Sequence, residues 1–330
     1  MNRFGKIFSL TIFGESHGNA TGVVIDGCPA GISISADDFI ADISRRKPGL
    51  TGTTRRIEED LPEFMSGILN GKTTGSPITI IFQNKNVQRT DYEHVAAHPR
   101  PGHADFAAMK KFGDFADLSG GGHFSGRLTV ALVAAGVIAK KIIQPIGIKA
   151  EIVEIGGSTD ITETVQKAMA EKDSVGGVIR CVASNIPIGL GEPFFDSVES
   201  LISHLIFSIP AIRAIEFGSG FESAKMTGSQ HNDAIISPDG KTQTNHSGGI
   251  NGGITNGNDL IFRVAVKPAS SIGKTQQTLN LQSNTVENLT ITGRHDACIA
   301  LRVPPVIEAA TAIILADLML LEQKIGRIFK

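Results

Sequence analysis

The chain has 330 residues, 41% of them hydrophobic and 19% charged, enough for a packed core and too ordered in composition for a disordered or low-complexity polymer. Its 31 Lys and Arg against 33 Asp and Glu leave a formal charge of -2, so no global positive field exists to hold a nucleic-acid backbone or an anionic membrane. Cys28, Cys181 and Cys298 stand far apart with no C-x-x-C pair, which fits neither a disulfide framework nor a thiolate metal site and makes a reducing cytoplasm the expected location.

The apolar run within residues 1–13 carries no cleavage signature. The longest apolar stretches are interrupted by Arg127, Lys140, Glu308 or Asp317, so no membrane span is expected. Residues 7–13 and 22–26 read as strands around Gly14-Glu15-Ser16-His17-Gly18, a hairpin-like opening. Ser35-Ala-Asp-Asp38 has the form of a helix N-cap, Phe39, Ile40 and Ile43 then recur at helical spacing, and the helix is expected to end near Arg45-Arg46-Lys47-Pro48-Gly49. Residues 77–83 read as a strand and 84–102 as a long polar loop.

Residues 127–143 are apolar almost all round, which predicts a helix buried in the centre of the fold. Asp160-Ile-Thr-Glu163 and Asp196-Ser-Val-Glu199 have capping-box spacing, 176–184 and 260–266 read as strands, and a last helix is expected over 305–324. Helices and strands follow no regular alternation, so the expected class is α+β, and no Pro/Ser-rich linker divides the chain. Gly122 to Arg127 and Gly293 to Asp296 each place Gly and Arg just before a long apolar helix, which is compatible with a two-fold pseudo-repeat.

Several motifs fail on their context. Gly14 to Gly18 fits G-x-S-x-G, but a nucleophile elbow needs a helix after the serine and a strand-like segment follows here. Gly67 to Thr73 is one residue short of a phosphate loop, and Pro268 stands where the first Gly of a second candidate should be. No G-x-G-x-x-G occurs. His94 and His98 have metal-pair spacing, but Pro99 and Pro101 oppose a helix there.

What remains is a distributed polar set in Gly-rich or turn-like segments: His17, Arg45, Arg46, His103, Ser125, Arg127, Lys267, Ser270, Ser271, Arg294 and Asp296. Each alone has a structural reading, as a hydrogen-bonded histidine, a helix C-terminal cation or a turn cap. Together, guanidinium forks, hydroxyls and Gly amides describe a receptor for an anionic, oxygen-rich ligand, beside histidines able to move a proton near neutral pH.

Three segments then carry a resemblance. Gly14-Glu15-Ser16-His17-Gly18 with Asp26-Gly27-Cys28-Pro29, Gly121-Gly122-His123-Phe124-Ser125-Gly126-Arg127, and Arg294-His295-Asp296-Ala-Cys298 with Glu308-Ala309 resemble, in order and spacing, the signatures of the chorismate synthase family. Arg45 to Gly49, Pro101-Gly102-His103-Ala104-Asp105, Asn245 to Gly253 and Lys267 to Ser271 extend it over nearly the whole chain. The resemblance implies a single α+β domain with helices sandwiched between antiparallel sheets, a homotetramer, and reduced FMN as cofactor. It implies the 1,4-trans elimination of phosphate from 5-enolpyruvylshikimate 3-phosphate to chorismate, with no net redox change. An intrinsic NAD(P)H-dependent flavin reductase activity is known for some members only, and no extra domain for it is visible.

By the same resemblance His103 protonates the leaving phosphate, His17 stabilises the flavin at its N1/C2 carbonyl side, and Asp296 assists proton removal at N5. Arg45, Arg46 and Arg127 are expected on substrate. His123, Phe124, Ser125, Pro210, Ala211, Gly252, Lys267, Pro268, Ala269, Ser270, Ser271 and Arg294 are expected on the cofactor. Two positions depart from the family: His123-Phe124 replaces Arg and a small residue, and Gly52 stands where an Arg is usual. Arg55, Arg56 or His123 are candidates to supply the missing charge. A serine hydrolase acting through Ser16 and a non-catalytic flavin- or phosphate-binding protein are the alternative readings.

Overall fold

In the computed structural model, residues 2–54, 56, 58–86, 95–291 and 295–323 are described. Short strand β1 (Arg3–Phe4) and the hairpin of β2 (Ser9–Gly14) and β3 (Ala20–Asp26) lead into helix α1 (Ile40–Arg46), then β4 (Glu63–Ser66), the two-residue strands β5 (Ile68–Leu69) and β6 (Lys72–Thr73), and β7 (Ile78–Gln83). The first sheet is antiparallel in the order β1-β2-β3-β7-β4. Alternation in β7 turns Ile78, Ile80 and Phe82 inward, all fully buried, as a one-face-buried sheet requires.

Helices α2 (Asp105–Phe112) and α3 (Thr129–Ile142) follow, then β8 (Gly147–Ile155), α4 (Ile161–Ala170), β9 (Gly177–Ser184), α5 (Val198–Ser208) and β10 (Ile212–Phe217). The one-turn helix α6 (Gly228–His231), β11 (Ile250–Asn251), β12 (Ile254–Thr255), β13 (Leu260–Val266), the hairpin of β14 (Gln276–Asn280) and β15 (Thr285–Leu289), and helix α7 (Pro304–Leu321) complete the described chain. The second sheet, again antiparallel, runs β10-β13-β9-β8.

The two apolar helices fill the space between the sheets: α3 lies on β2, β3 and β7, α7 lies on β8 and β9, and the two helices pack against each other. Their approach is closest where a Cβ on Gly136 would sit 2.3 Å from the Cβ of Ala309, so only glycine fits at that crossing. Side chains from both sheets and both helices join one contiguous core. Helix α7 is long and apolar enough to cross a membrane, but 89% of it is buried inside the protein.

The acidic residues that interrupt its apolar run fasten it to neighbouring elements. Asp317 accepts the backbone N–H groups of Lys6, Ile7 and Phe8 at 2.9, 2.7 and 2.9 Å, tying the β1–β2 turn to α7. Glu308 accepts both Arg45 amines at 2.8 Å, Lys140 at 3.0 Å and the Ala150 N–H at 3.0 Å, so a buried charge is fully compensated.

The α+β expectation holds, and the two Gly/Arg segments do precede the paired central helices α3 and α7. The boundary expected at Asp196 shifts by one residue: Ser197 is the cap, its hydroxyl accepting the Ser200 N–H at 3.1 Å, and α5 begins at Val198. The capping box at Asp160 survives only as the Asp160 to Glu163 N–H bond of 3.0 Å. Strands β1, β4, β5, β6, β8, β10, β11, β12, β14 and β15 and helices α2 and α6 are additional to the expected elements.

Candidate functional site

The turn between β2 and β3 carries Ser16 and His17, and both are buried, at 1% and 3% exposure. Ser16 Oγ accepts from Arg56 Nη1 at 3.0 Å, and the same nitrogen lies 3.3 Å from His17 Nε2. Arg56 is itself gripped by Glu58 through Nε at 3.1 Å and Nη2 at 2.8 Å. Strand β3, not a helix, follows this serine, so Ser16 does not stand on the strand-to-helix turn that a nucleophile elbow requires.

Across this turn runs the strip Gly120-Gly121-Gly122, with φ of 63°, 99° and 50°, held by the Ser16 N–H donating to the Gly122 carbonyl at 3.0 Å. A Cβ on Gly120 would lie 2.5 Å from His17 Nε2, and one on Gly121 would lie 3.3 Å from His103 Nε2. The glycine strip is therefore a thin partition with one histidine packed against each of its first two residues, and positive φ makes glycine the residue that can form it.

Strip and turn border a cavity of about 700 Å³, within the usual range for cofactor and small-molecule sites. Arg46, Arg56, Arg100, Arg127, Arg213, Arg302 and Lys267 line it, against three carboxylates, Glu58, Asp60 and Asp296. That balance favours an anionic occupant. Asp60, at φ 50°, bridges Arg46 Nη2 at 2.7 Å and Arg127 Nη1 in a short contact. Burial alone would push the Asp60 carboxyl up, but the two guanidiniums outweigh it and hold it below the usual range. Burial brings Arg46 down to about 10 despite Asp60, with Arg127 and Arg302 adding repulsion. Arg46 Nε, Arg127 Nη2 and Arg302 Nε are buried and have no hydrogen-bond partner, donors for which an oxygen-rich ligand would be the natural acceptor.

The depressed Asp60 carboxyl has a consequence for stability. A group with a lowered folded-state pKa adds stability above its unfolded value, about 3.9 for Asp, and loses it as pH falls through the folded value. An Asp60→Asn variant is therefore expected to be clearly less stable than the parent in urea unfolding at pH 7, with the gap narrowing at pH 3. A gap that is constant with pH would contradict the ionic role of Asp60.

The third wall is the segment before α2. Asp105, 1% exposed, accepts Arg100 Nε at 2.7 Å and Nη2 at 2.7 Å as a bidentate fork, the Arg100 backbone N–H at 3.0 Å, and His103 Nδ1 at 2.5 Å. Desolvation opposes its ionisation, but Arg100 and then His103 drive its pKa far below the carboxylate range. Lys267 reaches the Gly102 carbonyl and lies 2.9 Å from Ser270 Oγ, which donates to that carbonyl at 2.8 Å. Burial and nearby Arg213 lower the Lys267 pKa. On the α7 side, Asp296 accepts the Thr54 N–H at 2.9 Å and Arg302 Nη2 at 2.6 Å.

Of the residues expected from sequence, His17, His103, Asp296, Arg46, Arg127, His123, Phe124, Ser125, Pro210, Ala211 and Lys267 to Ser271 all line the one cavity. Arg45 and Gly252 are not among its lining residues: Arg45 is turned to Glu308, and Gly252 sits in the turn between β11 and β12. Arg294 and Arg55 lie outside the described residues, as does His94 of the discarded metal pair; His98 lies 2.9 Å from Glu287.

The departures also find places. Gly52 has φ 91° and a Cβ there would meet Val165 at 2.3 Å, while its carbonyl accepts the Ala297 N–H at 2.8 Å; the backbone at this position has no room for any side chain, so an arginine would require a different course. His123 spends its ring nitrogens on the Gly14 carbonyl at 2.8 Å and Asn2 at 3.2 Å. Arg56 and His123 both line the cavity; Arg56 is the one with a permanent charge, and that charge is paired with Glu58. Glu58, Asp60, Arg100, Asp105 and Arg302 were not in the expected site set, and Arg56 was named only as a candidate for the missing charge. For Arg100 and Asp105 the signal was their place beside an expected residue, in Arg100-Pro-Gly-His103-Ala-Asp105.

Comparison with known proteins gives one result throughout. A model of the family described as chorismate synthase matches residues 8–320. A chorismate synthase of Chitinophaga pinensis is 60% identical, with 100% of both chains covered. One of Dehalococcoides mccartyi is 44% identical over 100% of this chain and 99% of its own, and one of Methanocaldococcus jannaschii is 41% identical over 97% and 96%. A crystal structure of a chorismate synthase superposes with a TM-score of 0.74 at 25% identity, covering 97% of this chain and 93% of that one.

Proposed function

The chain belongs to the chorismate synthase family and is a lyase, and from that premise we propose how its cavity divides the work of eliminating phosphate from 5-enolpyruvylshikimate 3-phosphate. The observation that carries the reading is the partition: two histidines, one on each of two successive glycines, at the wall of a cavity with seven cationic side chains. Arg46 and Arg127, cross-braced by Asp60, present unpartnered N–H groups to the substrate anions. His103, with Nδ1 engaged by Asp105, holds a proton at Nε2 for the departing phosphate. Donors preorganised in this way stabilise charge that develops on oxygen without reorganising during the step.

The cofactor reading is reduced FMN. The cavity volume and the run from Lys267 to Ser271, together with Pro210, Ala211 and the His123 to Ser125 loop, fit such a group, and Lys267 would supply a cation to it. Reduced flavin, when bound, supplies transient electron density for breaking the C–O bond and recovers it, so that no net redox change results. Asp296, fixed by Thr54 and Arg302, offers a carboxylate oxygen as proton acceptor. His17, packed under Gly120 and beside Arg56, would donate to the carbonyl side of such a group.

We further propose a single domain assembled as a homotetramer in the cytoplasm. Phe115, Phe194, Phe195 and Phe221 stand 97%, 86%, 92% and 79% exposed, apolar area that subunit contacts would cover. The three cysteines are free and buried, in keeping with a reducing compartment.

An anaerobic assay with the enolpyruvyl substrate and chemically reduced FMN, followed by chorismate absorbance, tests the function directly. Chorismate is expected with pre-reduced FMN. Its formation with NADPH and oxidised FMN would add a built-in reductase activity. No chorismate in either case, with flavin bound, would refute the reading.

A further inference from the structure

His103 Nδ1 and Arg100 Nη2 converge on one oxygen of Asp105, at 2.5 and 2.7 Å. Their own separation of 3.1 Å follows from sharing that acceptor, because neither donor can serve the other while both donate to the carboxylate. The second oxygen takes the Arg100 N–H and Nε at 3.0 and 2.7 Å. The carboxylate is 1% exposed and does not line the cavity, so it does not touch the occupant. The ring's other nitrogen, Nε2, faces the glycine partition.

We propose that Asp105 is the positioning residue of the elimination, acting through His103 by fixing the proton on Nδ1 and so directing Nε2 at the leaving group. An acceptor held this rigidly against one ring nitrogen sets both tautomer and ring orientation, and it stabilises the imidazolium that a proton donor requires. The inference rests on the reading of His103 as proton donor.

In Asp105→Asn the amide oxygen keeps the side that receives Arg100 N and Nε, because of the four donors around the carboxylate only the His103 ring can give up its proton and accept. The amide N–H₂ then occupies the place of the other oxygen and faces Nδ1, which must present its lone pair. The tautomer inverts, and an imidazolium would face a donor. kcat is expected to fall about 10²-fold or more with substrate KM changed by less than about threefold, the pattern of a lost transition-state interaction.

The decisive test is a double-mutant cycle with a spectroscopic arm. In a His103→Ala background Asp105→Asn is expected to cost no more than about twofold further in kcat, because its effect runs through the missing ring. A multiplicative loss would overturn the proposal and leave Asp105 as a brace for the Arg100 loop. The ¹⁵N imidazole spectrum of histidine-labelled protein, with His103 assigned by its absence in His103→Ala, is expected to show a protonated Nδ1 in the parent and an unprotonated one in Asp105→Asn. An unchanged spectrum would overturn it as well. If His103→Ala alone leaves kcat intact, the proton-donor reading falls, while the spectrum still decides whether Asp105 sets the tautomer.

Discussion

His103→Ala is expected to lower kcat by about 10³-fold while costing less thermal stability than His17→Ala, the loss being one of the partners of the buried Asp105 carboxylate. A positioned general acid contributes on the order of 10²–10⁴ in rate. The side chain is 21% exposed and rests on a glycine and a carboxylate rather than in the apolar core, so its removal empties little packed volume. His17→Ala provides the contrast. His17 is 3% exposed and packed beneath Gly120, and it lies against the Arg56 guanidinium, so its loss should lower both kcat and the melting temperature. Steady-state kinetics and melting curves on the two variants check this directly; a His103→Ala enzyme with kcat within tenfold of the parent would remove His103 from the proton-donor role.

The sequence made the elements that obey a single strong period easy to read. The all-apolar stretch of α3 and the alternating β7 and β13 fall where expected, because burial on one face or all round writes itself into composition. Strand β8, Gly-Ile-Lys-Ala-Glu-Ile-Val-Glu-Ile, carries an alternation diluted by charges on its exposed side and a register shift between Ile152 and Glu154, so no clean period survives. Strands β14 and β15, Gln-Gln-Thr-Leu-Asn and Thr-Val-Glu-Asn-Leu, are too polar for a clean alternation.

At the site, residues in glycine-rich segments were legible because glycine marks close approach. The supporting carboxylates were not. Asp60 sits between Arg46 and Arg127, which are 14 and 67 positions away in the chain, and nothing local announces a long-range ion bridge. Arg45 and Arg46 are adjacent in sequence, yet helix geometry turns them to different faces, one to Glu308 and the other to Asp60. A dipeptide of like residues hides that divergence, since neighbours on a helix point about 100° apart.

Gly120→Ala is expected to reduce kcat about 10²-fold or more. Its Cβ would stand 2.4 Å from His17 Cδ2 and 2.5 Å from Nε2, roughly 1 Å inside ordinary contact, and the ring cannot yield freely because it is buried and set against Arg56. A displacement near 1 Å at a reacting group is enough to cost about 10²-fold in rate. The backbone strain is a smaller effect, since an alanine at φ near 60° costs roughly 1–2 kcal/mol. Gly121→Ala separates the two contributions. Its Cβ would lie 3.2 Å from His103 Cε1 and 3.3 Å from Nε2, which a shift of a few tenths of an ångström relieves, whereas φ of 99° strains an alanine more than Gly120 does. Gly121→Ala should therefore lose more stability and less kcat than Gly120→Ala. The reverse order, measured by kinetics and urea unfolding on the same preparations, would show that the strip serves the fold and not the spacing of the two histidines.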